Sequence, residues 1–298
     1  MWEVTGPRCQ HGTVTTTHRV ASTDGVVLAL HDLGGDGPEV LLCHPTGFHG
    51  LTWAPVAAAL AGVAHCWALD FRGHGDSTHP ASGSYDWHGP AADVLAVIDH
   101  LGLDGVRAVG HSMGGAALLL AEQARPATMA GLWLYEPIVF PAAEGGGVPG
   151  SNPMADRARR RKATFPSRAA ARANYAAKPP LGRFRADALD AYVAHGFRDV
   201  PGGDLRGVEL KCAPEVEAAV FERGGDHGAF AHLGEVACPV TVVASGDGAP
   251  PSWAAQLVAE ALPHGRSLTM EQLTHFGPME DPDAVAAAIA ADLPDLPA

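Results

Sequence analysis

The sequence predicts an α/β protein, with a mostly parallel sheet, helices on both its faces and a helical cap over one edge. Three observations lead there. Apolar runs of strand length alternate with amphipathic runs of helix length over most of the chain. A serine stands between glycines, in Gly110-His111-Ser112-Met113-Gly114, where one such strand gives way to a helix. One stretch, residues 141–233, abandons the alternation for a Gly/Pro loop, a basic run and alanine-rich helical segments.

Taken in order, residues 12–20 and 26–31 read as two antiparallel strands, because Ser22-Thr23-Asp24-Gly25 supplies an Asp-Gly turn between them. Residues 39–43 form a short buried strand, followed by a loop and a helix over 52–60. A strand at 64–69 and an amphipathic helix at 87–101 follow. The strand at 106–109 runs into the serine turn, the helix over 116–124 and the strand at 131–135. The pattern resumes with a strand at 240–244, a helix at 253–262, a strand at 266–270 and a last helix at 282–293. The core is therefore expected at 1–140 and 234–298, with a helical cap at 141–233 lying over the carboxyl edge of the sheet. Within the cap, a Gly/Pro loop spans 144–153, and Pro179-Pro180 and Pro201-Gly202-Gly203 interrupt the helical segments. Its basic run, Arg157-Ala158-Arg159-Arg160-Arg161-Lys162, reads as an exposed helix face, with an anionic substrate or partner as the other reading.

Composition narrows the class. A chain of 298 residues can bury a full core, and 47% hydrophobic with 18% charged residues is a globular balance rather than a disordered one. The formal net charge of −13 argues against a nucleic-acid-binding surface. Cys9, Cys43, Cys66, Cys212 and Cys238 are odd in number and scattered, with no C-x-x-C pair. Buried free thiols of a reducing compartment are expected, not disulfides or zinc ligands. Residues 1–7 lack the basic start and apolar core of a signal peptide, and no apolar run approaches membrane-spanning length. The expectation is a soluble cytoplasmic protein without cofactor, metal, nucleic-acid partner or membrane partner.

The serine turn carries the chemistry. Gly110 and Gly114 flank Ser112 because a Cβ at either position would collide with neighbouring backbone. Ser112 is thereby forced into strained backbone geometry, with its Oγ raised at the carboxyl end of the strand. The helix behind it directs free N–H groups and a partial positive charge at the same point, which favours an oxyanion there.

Four segments stand in a fixed order: His44-Pro45-Thr46-Gly47-Phe48-His49-Gly50, Asp70-Phe71-Arg72-Gly73-His74-Gly75-Asp76-Ser77, the Ser112 turn, and Leu273-Thr274-His275-Phe276-Gly277-Pro278. Together they resemble the α/β-hydrolase superfamily, with its nucleophile elbow, its cap inserted after the sixth strand and its late histidine. The resemblance covers nearly the whole chain and implies an eight-stranded sheet. It also implies that His275, in a loop after the last strand, is the general base for Ser112. His44 and His74 would be structural, and Asp70 and Asp76 would fix loops beside the sheet. The oxyanion would be held by the backbone N–H groups of Met113 and Thr46, since Pro45 has none to offer. Phe48, Trp53, Met113, Ile138 and Phe276 would wall the substrate pocket.

Two carboxylates compete for the third triad position. Superfamily members usually carry Gly-x-x-Asp after the strand that follows the cap. This chain reads Ser245-Gly246-Asp247-Gly248, with glycine where the aspartate is expected and Asp247 one residue early. The other solution places the acid at the end of the strand before the cap. There Leu132-Trp133-Leu134-Tyr135-Glu136-Pro137-Ile138 looks like the Glu-bearing strand end of haloalkane dehalogenases and of some serine lactonases. A carboxylate beside so apolar a strand is costly unless paired, which favours Glu136 and leaves Asp247 open.

A serine nucleophile forms an acyl-enzyme, so the expected substrate is a carboxylic ester or lactone, with no cofactor. Dehalogenases and epoxide hydrolases of this fold place aspartate at that position. The same triad also supports C–C bond hydrolysis or perhydrolysis, and the fold can serve as a non-enzymatic ligand receptor.

Overall fold

The computed structural model describes residues 16–141, 152–200, 207–225 and 227–293. The first four residues of the strand expected at 12–20, Cys9, most of the 144–153 loop and Pro201-Gly202-Gly203 lie outside the described residues. The first half of the core runs β1 (Thr16–Ala21), β2 (Val27–Gly34), β3 (Glu39–Cys43), α1 (Ala54–Leu60), β4 (His65–Asp70), α2 (His88–Leu101), β5 (Val106–His111), α3 (Met113–Ala124) and β6 (Met129–Tyr135). The inserted segment contributes α4 (Pro153–Arg159), β7 (Thr164–Phe165), α5 (Arg168–Ala176), α6 (Ala186–His195), β8 (Phe197–Val200), β9 (Gly207–Leu210) and α7 (Pro214–Arg223). The core then closes with β10 (Val240–Ser245), α8 (Pro250–Ala261), β11 (Gly265–Met270), α9 (Gly277–Glu280) and α10 (Pro282–Asp292).

Among the described residues the main sheet has eight strands in the order β1-β2-β4-β3-β5-β6-β10-β11. The β1–β2 and β2–β4 pairs are antiparallel and the remaining pairs parallel. Chain direction across the sheet reverses at β3. The chain first steps from β3 outward to β4, then returns to lay β5 on the other side of β3. The carboxyl ends of β3 and β5 therefore sit together, with Cys43 opposite Gly110, and open the crevice in which such sheets hold their sites.

The buried strands read as continuous apolar runs because both faces are covered. In β3, Leu41 and Cys43 join the core beneath α2, α3 and α8, while Val40 and Leu42 join the one beneath α1 and α10. The start of α10 is fixed by Asp281, whose side chain accepts the Ala284 N–H, with Pro282 in the first turn. Cys43, Cys66, Cys212 and Cys238 are free and buried. No helix among the described residues is long and apolar enough to cross a membrane.

The insertion is not wholly helical. It carries a three-stranded antiparallel sheet in the order β7-β9-β8, where a helical cap was expected. These strands have two to four residues each, too few to set up a period of two in the sequence. Phe165, Tyr175, Leu189, Tyr192, Phe197 and Val208 give the insertion its own small core, which Phe48 and Met279 of the main unit complete.

A buried polar cluster fastens the loops after β3 and β4. Asp70 accepts the N–H of Gly50 at 2.6 Å and that of Asp76 at 2.8 Å, so one carboxylate ties both loops together. His44 Nε2 accepts the Phe71 N–H at 3.0 Å while its Nδ1 donates to the Pro45 carbonyl at 2.8 Å, a structural role. Burial pushes His44 down to about 3 and both His49 and His74 down to about 4. All three stay neutral in the folded protein while their unfolded counterparts take up protons near pH 6.5. Between those values the unfolded chain binds more protons, so stability decreases as the pH is lowered. Thermal melts should show Tm dropping steadily from about pH 6.5 to about pH 4. A Tm that holds level across that window would contradict the buried neutral histidines.

Candidate active site

Ser112 occupies the turn between β5 and α3 with φ 56° and ψ −116°. The flanking glycines are sterically required. A Cβ on Gly114 would lie 2.3 Å from the Cys43 carbonyl oxygen, and one on Gly110 would lie 2.6 Å from the Gly115 Cα. The turn is anchored from β6, where the Tyr135 carbonyl accepts the Ser112 N–H at 3.0 Å. Met113 opens α3, and N–H groups in the first turn of a helix have no intrahelical acceptor. Across the crevice, Gly47 takes φ +80° to fold the loop back over Thr46, and the Phe48 N–H closes on the Pro45 carbonyl at 3.2 Å. Thr46 lines the same cavity as Ser112.

Glu136 follows β6 directly. Four non-glycine residues among those described have positive φ, namely Asp24, Ser112, Ala127 and Glu136, so two of the four fall in this site. The Glu136 side chain is fully buried, and each of its oxygens has one partner. Oε1 accepts the Ser245 N–H at 2.8 Å, and Oε2 accepts from His275 Nδ1 at 2.6 Å. A buried carboxylate without such bonds would be strongly unfavourable; two short ones offset its desolvation.

Asp247 sits in the loop after β10. Its Oδ1 accepts from the Ser245 hydroxyl and the Ala249 N–H, both at 2.9 Å, and its Oδ2 from the backbone N–H of His275 at 3.3 Å. Partial burial works against its charge, but the Ala249 N–H, the Ser245 hydroxyl and the His275 N–H outweigh it and hold the carboxyl below its ordinary range. The carboxylate at the imidazole is that of Glu136; Asp247 grips the backbone that carries the ring.

Several neighbours without a place in the sequence reading steady His275. The Tyr135 hydroxyl donates to the Thr274 carbonyl at 2.7 Å, and Glu280 accepts the Thr274 N–H at 2.9 Å and its hydroxyl at 2.7 Å. The ring of His111, fully buried, stands 4.9 Å from that of His275. Burial first, and His275 second, push His111 well below its ordinary range, so it adds no second positive charge there. The glycine-flanked motif drew attention to Ser112, while its own second residue, His111, carried no separate signal.

Ser112 and His275 open onto one cavity of about 530 Å³ between the sheet edge and the insertion. Phe48 and Phe276 line it as expected, their rings 5.9 Å apart. Trp53, Met113 and Ile138 do not. Trp53 is fully buried in the core beneath α1, and Met113 and Ile138 pack into the core on the opposite face. Adjacency in sequence to the loops at the site did not decide which way these side chains turn. Arg157, Arg159, Arg160 and Lys162 of the basic run are exposed, in keeping with the exposed-face reading, and Arg157, Arg160, Arg161 and Lys162 also line the cavity, joined by Lys178. Arg159 alone points away, to Glu215 at 3.3 Å and Glu222 at 2.5 Å.

Comparison with known proteins places this geometry in a family. A model of the alpha/beta hydrolase family matches residues 40–288. A probable protein phosphatase methylesterase 1 of Caenorhabditis elegans is 34% identical over 152 residues, 49% of this chain and 41% of that protein. Epoxide hydrolase A of Mycobacterium tuberculosis is 36% identical over 101 residues, 33% of this chain and 31% of that protein. The chain thus spans well under half the length of these curated relatives in each match. Among solved structures, an E-2-(acetamidomethylene)succinate hydrolase superposes with a TM-score of 0.76 at 20% identity, covering 93% of this chain and 98% of that one. An esterase from Rhodococcus sp. ECU1013 superposes with a TM-score of 0.70 at 24% identity, covering 94% and 99%. Both likenesses are of fold.

Proposed function

The chain belongs to the alpha/beta hydrolase family, and on that premise we propose that it is a cofactor-independent serine hydrolase of carboxylic esters or lactones. The observation that carries this reading is the 2.6 Å contact of His275 Nδ1 with the buried Glu136 carboxylate, with Ser112 and His275 on one cavity. A carboxylate at Nδ1 fixes the tautomer that leaves Nε2 free to take the serine proton.

The reaction then follows in two halves. Ser112 Oγ attacks the ester carbonyl carbon while its proton passes to His275 Nε2, and the carbonyl oxygen becomes an oxyanion facing the Thr46 and Met113 N–H groups. Glu136 stabilises the imidazolium so formed without itself taking the proton. Collapse of the tetrahedral intermediate breaks the C–O bond, and His275 returns the proton to the departing alkoxide. Water, deprotonated by His275, then attacks the acyl-enzyme and releases the acid, restoring Ser112. His111, kept neutral by burial, leaves the imidazolium without a charged neighbour on that side.

Ester cleavage is favoured over epoxide or haloalkane chemistry because serine stands at the turn, and over a receptor role because Ser112 and His275 share one cavity with a buried carboxylate at the histidine ring. The relative named a methylesterase agrees with that choice over the segment it shares. Hydrolysis of p-nitrophenyl butyrate tests it. Wild-type protein should turn the ester over, and His275→Ala should lower kcat by about 10³-fold or more. Equal rates in the two proteins would contradict the reading.

A further inference from the structure

The cavity over Ser112 is electropositive in a protein whose formal net charge is −13. Five cations line it, Arg157, Arg160, Arg161, Lys162 and Lys178, against one carboxylate, that of Glu217. We infer that the substrate is an ester or lactone that carries a second, anionic group, a carboxylate held by this cluster while its ester carbonyl lies over Ser112. The inference rests on the serine-hydrolase reading of the same site and adds the class of molecule it takes.

Arg161 sets the geometry. Its Nη1 is bonded to Glu217, and its Nη2 donates to the Tyr192 hydroxyl at 2.5 Å and lies 3.4 Å from that of Tyr175. The guanidinium is therefore locked in place, with little side-chain entropy left to lose on binding. It also stands against the oxyanion loop, since a Cβ on Gly47 would come 3.2 Å from Arg161 Nη1. The cluster thus shares one cavity with Ser112 and Thr46, with Arg161 beside the loop that carries Thr46.

The other cations at the cavity keep their charge available. Arg157 and Arg160 have no carboxylate partner among the described residues. Lys178 reaches only the Asn174 side-chain oxygen at 3.2 Å, and Lys162 lies 4.6 Å over the Phe165 ring. Most other described arginines of the insertion are paired, Arg223 excepted. Arg159, Arg168, Arg183, Arg185 and Arg198 each hold a carboxylate. Arg157 and Arg160 line the cavity without such a partner, and the positive potential they leave there is one that an arriving anion would offset. Paired guanidinium groups also match the planar fork of a carboxylate.

The test compares monomethyl glutarate with methyl valerate, esters alike except for a terminal carboxylate in place of a methyl group, by pH-stat titration. Wild-type kcat/KM for the glutarate should exceed that for the valerate by about tenfold or more, and the ratio should shrink as salt is raised. Arg157→Ala/Arg160→Ala and Arg160→Glu should each cut the ratio by about tenfold, with Arg160→Lys restoring part of it. A ratio at or below one, or one that the charge changes leave alone, overturns the inference while hydrolysis of the valerate keeps the serine-hydrolase reading. If neither ester is consumed, that reading fails, and calorimetric titration of the same proteins with glutarate dianion decides the inference. Binding weakened about tenfold in Arg157→Ala/Arg160→Ala upholds the anion site, and absence of binding to wild type removes it.

Discussion

Ser112→Ala is expected to lower kcat for p-nitrophenyl butyrate by roughly 10⁴-fold or more, with the fold intact. The side chain lost is one oxygen, in a residue only 6% exposed, and the turn that holds it is fixed by backbone alone. Tyr135 accepts the Ser112 N–H, and the Ser112 carbonyl accepts from Gly115, Ala116 and Ile138. None of these bonds needs the hydroxyl, so circular dichroism and Tm should stay close to wild type. Residual activity should be that of an oxyanion site acting on bound ester without a nucleophile. Undiminished hydrolysis would exclude Ser112 from the chemistry, and a large fall in Tm would make the rate uninterpretable as a loss of the nucleophile.

Glu136→Gln is expected to reduce kcat by about 10⁴-fold, whereas Asp247→Asn should cost less than about tenfold. The two carboxylates sit on the same histidine but on different atoms of it. Glu136 accepts from Nδ1 at 2.6 Å and has no solvent contact to soften its removal. An amide there removes the charge that stabilises the imidazolium, and its NH₂ can turn Nδ1 into an acceptor, which moves the ring proton onto the nitrogen that must receive one from Ser112. Asp247 instead accepts the His275 backbone N–H at 3.3 Å, along with the Ser245 hydroxyl and the Ala249 N–H. Asparagine can keep its acceptor oxygen for the Ser245 and Ala249 bonds and gives up the longer one from the His275 N–H, so the loop loosens but the ring retains its charge partner. Both variants should be assayed side by side on one ester. The reverse order of effects would assign the acid to the loop after β10.

Much of this was legible in the sequence, and for physical reasons. The elbow could be read because its constraint is local, a backbone so close that Gly110 and Gly114 admit no Cβ. The core strands could be read because covering both faces favours unbroken apolar runs, as in Val40–Cys43 of β3 and in β6. The carboxylate at the end of β6 stood out because charge beside so apolar a run demands a partner, and the partner is 139 residues away. What escaped was tertiary in origin. Trp53 and Ile138 lie close in sequence to the loops at the site, yet each turns into a core. The run from Arg157 to Lys162 has the charge count of a solvated helix face, and only the packing of α4 against α7 directs Arg159 outward and its neighbours to the cavity. Neither orientation is encoded within the run itself.

The claim that Ser112 is a nucleophile activated by His275 is tested most directly by reaction with a fluorophosphonate, followed by intact-mass measurement and mapping of the modified peptide. The account predicts one adduct per chain, located on Ser112 and absent from Ser112→Ala. A wild-type protein that stays unlabelled, or a Ser112→Ala protein that labels as fully as wild type, would contradict it.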